Sequence, residues 1–254
     1  MDEAREQLIT AICLFPDEET AVERGLDAAD LSPEERAHFE AHARRLLLYR
    51  RLVRGNLEGA ARRLLPRTVA CLERCGAFER ELGAFFAEAC TRTHYLRDMG
   101  AELVRWGVPR WSGADFPRHL ADLARYEALE LDVAIAAPAP APAARDELAL
   151  DRAVVFEPTA RLAHFAHAVH EEDGDPPSAR AATVLVFRDR EHAVHTREIA
   201  PDVAPVLERL LAGATLAHAV RGESSAAIDD ALLARVAEAL AALADEHILL
   251  GASA

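Results

Sequence analysis

The chain contains no lysine: all 29 of its basic residues are arginine. That excludes a Walker A lysine on a nucleotide phosphate and a Schiff-base lysine on a carbonyl substrate. It also lacks G-x-S-x-G, H-E-x-x-H and G-x-G-x-x-G, so no nucleophile elbow, zincin helix or dinucleotide fingerprint is present. No apolar run is long enough to span a bilayer, and the start, MDEAREQL, is acidic where a signal peptide is basic. Cysteine is scarce. Cys13, Cys71, Cys75 and Cys90 do not have the paired C-x-x-C spacing of a zinc ribbon. They read as reduced core thiols of a cytoplasmic protein, with Cys71 and Cys75 one helical turn apart as two packed thiols.

What the chain has in excess is acid. Its 43 Asp and Glu against 29 Arg leave a net charge of -14. Nucleic-acid binding draws much of its affinity from basic groups on phosphates, and a net anionic protein is repelled at long range, so nucleic acid is an unlikely partner. One segment argues the other way. Between Ala43 and Arg67 stand Arg44, Arg45, Arg50, Arg51, Arg54, Arg62, Arg63 and Arg67 against Glu58 alone. At helical spacing these arginines scatter around the axis, while Phe39, Ala43, Leu46, Val53 and Leu57 fall on one side. That fits a bundle helix. The acidic segment before it, residues 1–42, can fold against it.

With 254 residues, 51% of them hydrophobic, the chain has material for two domains. It divides at AIAAPAPAPAARDEL, where alternating Ala and Pro read as a semi-stiff linker. We expect a helical domain over 1–136, an Ala/Pro linker over 137–147 and an α+β domain over 148–254. In the first, Ser32, Pro33 and Glu35 form a helix start with a capping box. One helix runs from there through the arginine segment. Further helices are expected at about Pro66–Glu73, Ala77–Cys90, Tyr95–Trp106 and Phe116–Ala136, giving an all-helical domain.

After the linker, TVLVFRDREHAVHTREI reads as a β-hairpin around a charged turn, and VVFEPTARLAHFAHAVHEED upstream can add one or two strands. Pro201 opens a helix with Val203, Val206, Leu207, Leu210 and Leu211 on one face, and Gly213 stops it. Thr215 caps a short helix ending near Gly222. A long amphipathic helix follows, with Ile228, Leu232, Val236, Leu240 and Leu243. This order defines a winged-helix-like domain with a small antiparallel sheet. From Pro201 onward eight acids face three arginines, and the second helix of the turn carries only His218 and Arg221. A recognition helix sits amid phosphate-contacting basic groups, which these are not. A sheet edge beside helices has another use, because a peptide can add a strand to it.

His164, His167 and His170 are three apart, but no cysteine or carboxylate stands at a ligand offset, so we read a groove-lining or solvent-facing cluster and no metal site. Asp122, Glu127, Glu130 and Asp132 read as a solvated or arginine-paired helix face. Nothing in the sequence reads as an independent enzyme.

RLLLYRRLVRGNLEGAARRLLPRT, THYLRDMGAELVRW and HLADLARYEALELDVA resemble the helical half of the HvfC-like family, and TVLVFRDREHAVHTREIAPDVAPVLERLLAGATLAHAV is similar to its C-terminal half. The resemblance covers about Ala43–Ala136 and Thr183–Leu250. It implies a partner protein of a multinuclear non-haem iron-dependent oxidative enzyme (MNIO). Such a protein recognises the leader of a ribosomally made precursor peptide while the enzyme, which supplies the iron, modifies the core. The chain itself is then non-catalytic and carries no cofactor. On that basis Val184, Val186 and Arg188 on the first hairpin strand and Val194, Thr196 and Arg197 on the second are candidate peptide-binding residues. Tyr49, Arg50, Arg97 and Asp98 are candidate partner contacts. The alternative is a winged-helix transcription regulator, which needs the compact basic surface that this sequence scatters.

Overall fold

The computed structural model describes residues 3–15, 17–89, 95–137, 144–145, 147–171, 176–222 and 229–253. Cys90, Ile228 and the Ala/Pro stretch 138–143 lie outside the described residues. The chain forms two compact units, Met1–Ala128 and Leu129–Ala254. Among the described residues there are eleven helices and two small antiparallel sheets, with the strands confined to the C-terminal unit.

The helical unit opens with α1 (Glu3–Leu14), α2 (Glu18–Ala28) and α3 (Pro33–Ala41). The capping box at Ser32 forms as read: the hydroxyl accepts from the Glu35 amide and the Glu35 carboxylate accepts from the Ser32 amide. The single helix expected from there is broken at His42, whose φ of -109° and ψ of 13° separate α3 from α4 (Ala43–Leu64). The bend has a packing reason. Phe39, before it, and Leu46, after it, both pack against the cluster of Leu8, Ile12, Ala21 and Leu26 made by α1 and α2.

The arginines of α4 are used mostly inside this unit. Arg50 is 4% exposed. Its guanidinium donates to the Phe15 carbonyl at 2.7 Å and to the Glu18 carboxylate at 3.3 Å. Arg51 reaches the same carboxylate, Arg54 donates to the Phe15 carbonyl and lies over the Phe86 ring, and Arg62 bridges Glu58 and Glu73. The acidic N-terminal segment thus does fold against the arginine run.

Four further helices complete the bundle: α5 (Pro66–Arg74), α6 (Phe78–Glu88), α7 (Leu96–Trp111) and α8 (Leu120–Ile135), the last running across the division between the units. Two buried carboxylates tie them. Glu81 accepts from Trp111 Nε1 at 3.2 Å and pairs with Arg80 and Arg110. Glu127 accepts the Arg67 and Thr68 amides at 2.8 Å each, supplying from α8 the cap that α5 lacks. Burial pushes its carboxyl above the ordinary range despite those bonds. Glu127 is therefore a buried cap and no part of a solvated face, whereas Asp122 does pair with Arg125. α7 runs a turn past the expected Trp106 end, through Pro109, because Trp111 is fully buried and anchors the last turn. Its ring lies where a Cβ on Gly107 would stand, so only glycine fits there. Of the cysteines, Cys13 and Cys71 are buried, but Cys75 is exposed and does not pack as read.

The C-terminal unit has β1 (Ala144–Arg145), β2 (Val154–Phe156), β3 (Arg161–Phe165), β4 (Ala182–Arg188), β5 (Val194–Ile199), α9 (Ala204–Leu211), α10 (Leu216–Arg221), α11 (Asp230–Asp245) and β6 (Leu249–Ser253). One sheet has the order β1-β6-β2 and the other β3-β4-β5. Leu185, Phe187 and Ile199 meet Val206, Leu210, Val236 and Leu243 in one core. Gly213, at φ +88°, ends the α9 turn as read, and the Thr215 hydroxyl caps α10. The unit is winged-helix-like, with a second small sheet added by β1, β2 and β6.

Replacing Arg50 with alanine removes a guanidinium with almost no access to water. We expect Arg50→Ala to cost about 2–4 kcal/mol, whereas Arg51→Ala, at an exposed pair, changes stability by less than about 1 kcal/mol. Urea unfolding followed by circular dichroism checks both; equal losses would contradict this account.

Candidate peptide-binding groove

Strand addition needs a sheet edge with unpaired backbone groups. β4 offers none. It pairs with β3 from Arg161↔Val186 to Phe165↔Ala182 and with β5 from Thr183↔Ile199 to Arg188↔Val194. Val184 and Val186, candidate peptide contacts from the sequence, are fully buried on this central strand. Arg188 is engaged too: its amide donates to Thr159 Oγ1 at 3.0 Å and its guanidinium to the Ala134 carbonyl at 3.0 Å. Among the described strands the edges of this sheet are β3 and β5.

β5 carries the other three candidates, Val194, Thr196 and Arg197. Beside it a groove of about 260 Å³ opens toward α11. Its apolar lining is Ile199, Ala200 and Val203 from the β5 side and Ala239, Ala242 and Leu243 from α11. Two alanines on the α11 wall leave this space; larger side chains there would fill it. Arg197 and Arg235 stand at the rim, the first paired with Glu246 at 2.7 Å and the second with Asp202. The groove-lining residues other than Arg197 were missed by sequence reasoning. Leu243 and Val203 were read as core only. The available signal was the pair Ala239 and Ala242, small residues three apart beside an otherwise leucine-rich stripe.

On its other face β5 is strapped from below. Glu198 accepts from Arg180 and lies 3.2 Å from His170 Nε2, and Arg180 also holds Glu171 at 2.7 Å. His170, Glu171 and Glu198 bring ligand-type atoms within 4.8 Å of one another, but both carboxylates are already engaged by the Arg180 guanidinium. The bonds from Arg180 hold Glu198 and Glu171 below the usual carboxylate range. His164 has different partners, Thr183 Oγ1 at 2.8 Å and, more distantly, Glu208. His164 and His170 therefore serve separate contacts.

A second cleft, of about 430 Å³, lies at the hairpin tip between Thr159, Arg188, His192 and His247. His192 (φ 68°) and His247 (φ 58°) are in the left-handed region. The first closes the Asp189–Ala193 turn; the second ends α11, with the Ile248 amide donating back to the Leu243 carbonyl. Both are positions where glycine is the usual occupant.

The candidate partner residues of the helical unit divide. Arg50 is excluded by its burial. Tyr49 is 51% exposed and continues into exposed Leu48 and Leu52 on α4. Arg44 and Arg45, on the same helix, have no side-chain partner among the described residues. Arg97 and Asp98 pair with each other at 3.4 Å, and Arg97 also stacks on Tyr95.

Residues 157–251 match the family model of the HvfC C-terminal domain. The match spans β3 to β5, α9 to α11 and most of β6, so it contains the whole groove. A comparison with curated proteins finds no match.

Two outcomes follow. His192→Gly and His247→Gly relieve left-handed backbone strain and should each raise stability by about 0.5–1 kcal/mol in urea melts; a loss at either would show that the side chain is needed there. The strap's contribution stands above the ordinary carboxylate value of 4.5 and is lost as pH falls through the lower folded-state values of Glu171 and Glu198. The stability difference between wild type and Arg180→Ala should therefore shrink from neutral pH toward about pH 3. A difference independent of pH would mean that the strap acts by packing alone.

Proposed function

We propose that this chain is a non-catalytic partner protein that binds the leader of a ribosomally made precursor peptide and presents the peptide to an iron-dependent oxidase of the MNIO type. The observation that carries the reading is the position of β5 at the edge of its sheet beside an apolar groove, in a part of the chain that matches the HvfC C-terminal domain. The leader adds a strand to β5, its backbone satisfying the edge and alternate side chains entering the groove toward α11. The iron belongs to the enzyme, and this chain contributes no cofactor and no catalytic group. The exposed Leu48, Tyr49 and Leu52 face of α4, with unpaired Arg44 and Arg45, supports contact between the helical unit and the enzyme. The complex works in the cytoplasm, where the ribosome delivers the peptide. Among the described residues no helix is long and apolar enough to cross a membrane. Nucleic acid is disfavoured as a ligand, because α10, in the place of a recognition helix, offers only His218 and Arg221.

The test uses fluorescence anisotropy with a labelled precursor peptide recovered with the chain from its own cells. Successive amides on an edge strand alternate between inward and outward, so one of Thr196→Pro and Arg197→Pro removes an outward donor and leaves the sheet intact. That variant, and Ala242→Trp in the groove, should weaken leader binding at least about tenfold, a loss of about 1.4 kcal/mol. Folded variants that bind the leader as tightly as wild type would reject strand addition at β5.

A further inference from the structure

The charge of this protein is unevenly divided between its units. Residues 1–128 hold 19 arginines and 22 acids, a net of -3; residues 129–254 hold 10 arginines and 21 acids, a net of -11. The groove lies on the strongly acidic unit.

At the rim the imbalance becomes specific. The two rim arginines are already neutralised, Arg197 by Glu246 and Arg235 by Asp202. Neither is free to receive a carboxylate without giving up its present one. Glu198 is likewise satisfied, by Arg180 and His170. Glu238 is different. It is exposed on α11, lines the groove, and has no partner among the described residues. The rim's one uncompensated charge is thus negative. An acidic segment entering the groove would meet Glu238 and the field of the whole unit, whereas a basic one is drawn in by both. Beneath the rim, the floor of Ile199, Val203, Ala239, Ala242 and Leu243 has no polar side chain to satisfy. It accepts an apolar side chain, and the period of two along a strand places the next residue outside the floor, at rim height.

We infer that the β5–α11 groove selects an extended peptide segment in which bulky apolar side chains alternate with or are flanked by arginine or lysine, and that it discriminates against acidic segments. This rests on the reading of the chain as a peptide-binding protein. Selectivity then has two parts: the apolar anchors hold the peptide, and the rim charge decides which anchored peptides stay.

The experiment is selection from a random library of peptides about ten residues long, displayed on messenger RNA, against the full chain, with Ala242→Trp as the blocked-groove control. Peptides that depend on the groove are those lost against Ala242→Trp. Should that variant not fold, Ala239→Leu, at a partly exposed position on the same wall, takes its place. We expect the groove-dependent peptides to be rich in arginine and lysine and poor in Asp and Glu, and their binding to weaken as salt is raised. Glu238→Arg should lower the affinity of the selected basic peptides about two- to fivefold and flatten their salt dependence. Groove-dependent peptides with no charge bias, or with an acidic one, overturn this inference while leaving peptide capture standing. No groove-dependent peptides at all would overturn peptide capture itself, and this inference with it.

Discussion

The pairing of β4 on both sides is the constraint from which the C-terminal unit follows. With β3 and β5 both in register against it, β4 becomes the buried axis of its sheet, and Leu185 and Phe187 are directed onto the core formed with α9 and α11. β5 then stands at the edge of this sheet. A sheet edge of this kind is a hazard if flat and apolar. Here it is short, carries Arg197 and Glu198, and stands beside α11, so that the edge opens into a bounded groove. The site is in this sense a by-product of how the core packs: the leucines of α11 fill the interior, and its alanines leave the adjoining space empty.

The helical unit solves a different problem, that of many charges within a small volume. Arg50, Glu81 and Glu127 are buried, and each is held by several groups at once. A buried ion that keeps such partners fixes the relative placement of the segments it joins, because any slip leaves it unsatisfied. Arg50 fixes α4 against the turn after α1, Glu81 fixes α6 against the end of α7, and Glu127 fixes α8 against the start of α5. The arginine-rich stretch that resembles a nucleic-acid contact is largely internal framework.

Local signals in the sequence were readable because their causes are local. The Ser32 box, the Thr215 cap, the Gly213 stop and the hairpin of β-branched residues all depend on neighbours a few positions away. The break at His42 was not readable, since it arises from two side chains reaching a cluster built by α1 and α2. The extra turn of α7 was missed for the same reason: Pro109 argues for an end, and the burial of Trp111 outweighs it. At the groove, the run TVLVF announces a buried strand but cannot tell a central strand from an edge, so Val184 and Val186 were grouped with β5. That distinction is set by β3, whose arrival beside β4 is a non-local event. Ala239 and Ala242 were read past because a small residue on a helix says nothing until the opposite wall is known.

The two tryptophans of the chain, Trp106 and Trp111, both lie in α7, with ring centroids 6.5 Å apart. The intrinsic emission of the molecule therefore comes from the helical unit, and the unit that holds the groove is optically silent at those wavelengths. Emission consequently reports on the helical unit alone, whereas ellipticity draws on the helices of both units. Melting curves that coincide by both probes would mean that the two units unfold as one; curves that separate would give the stability of each without cutting them apart.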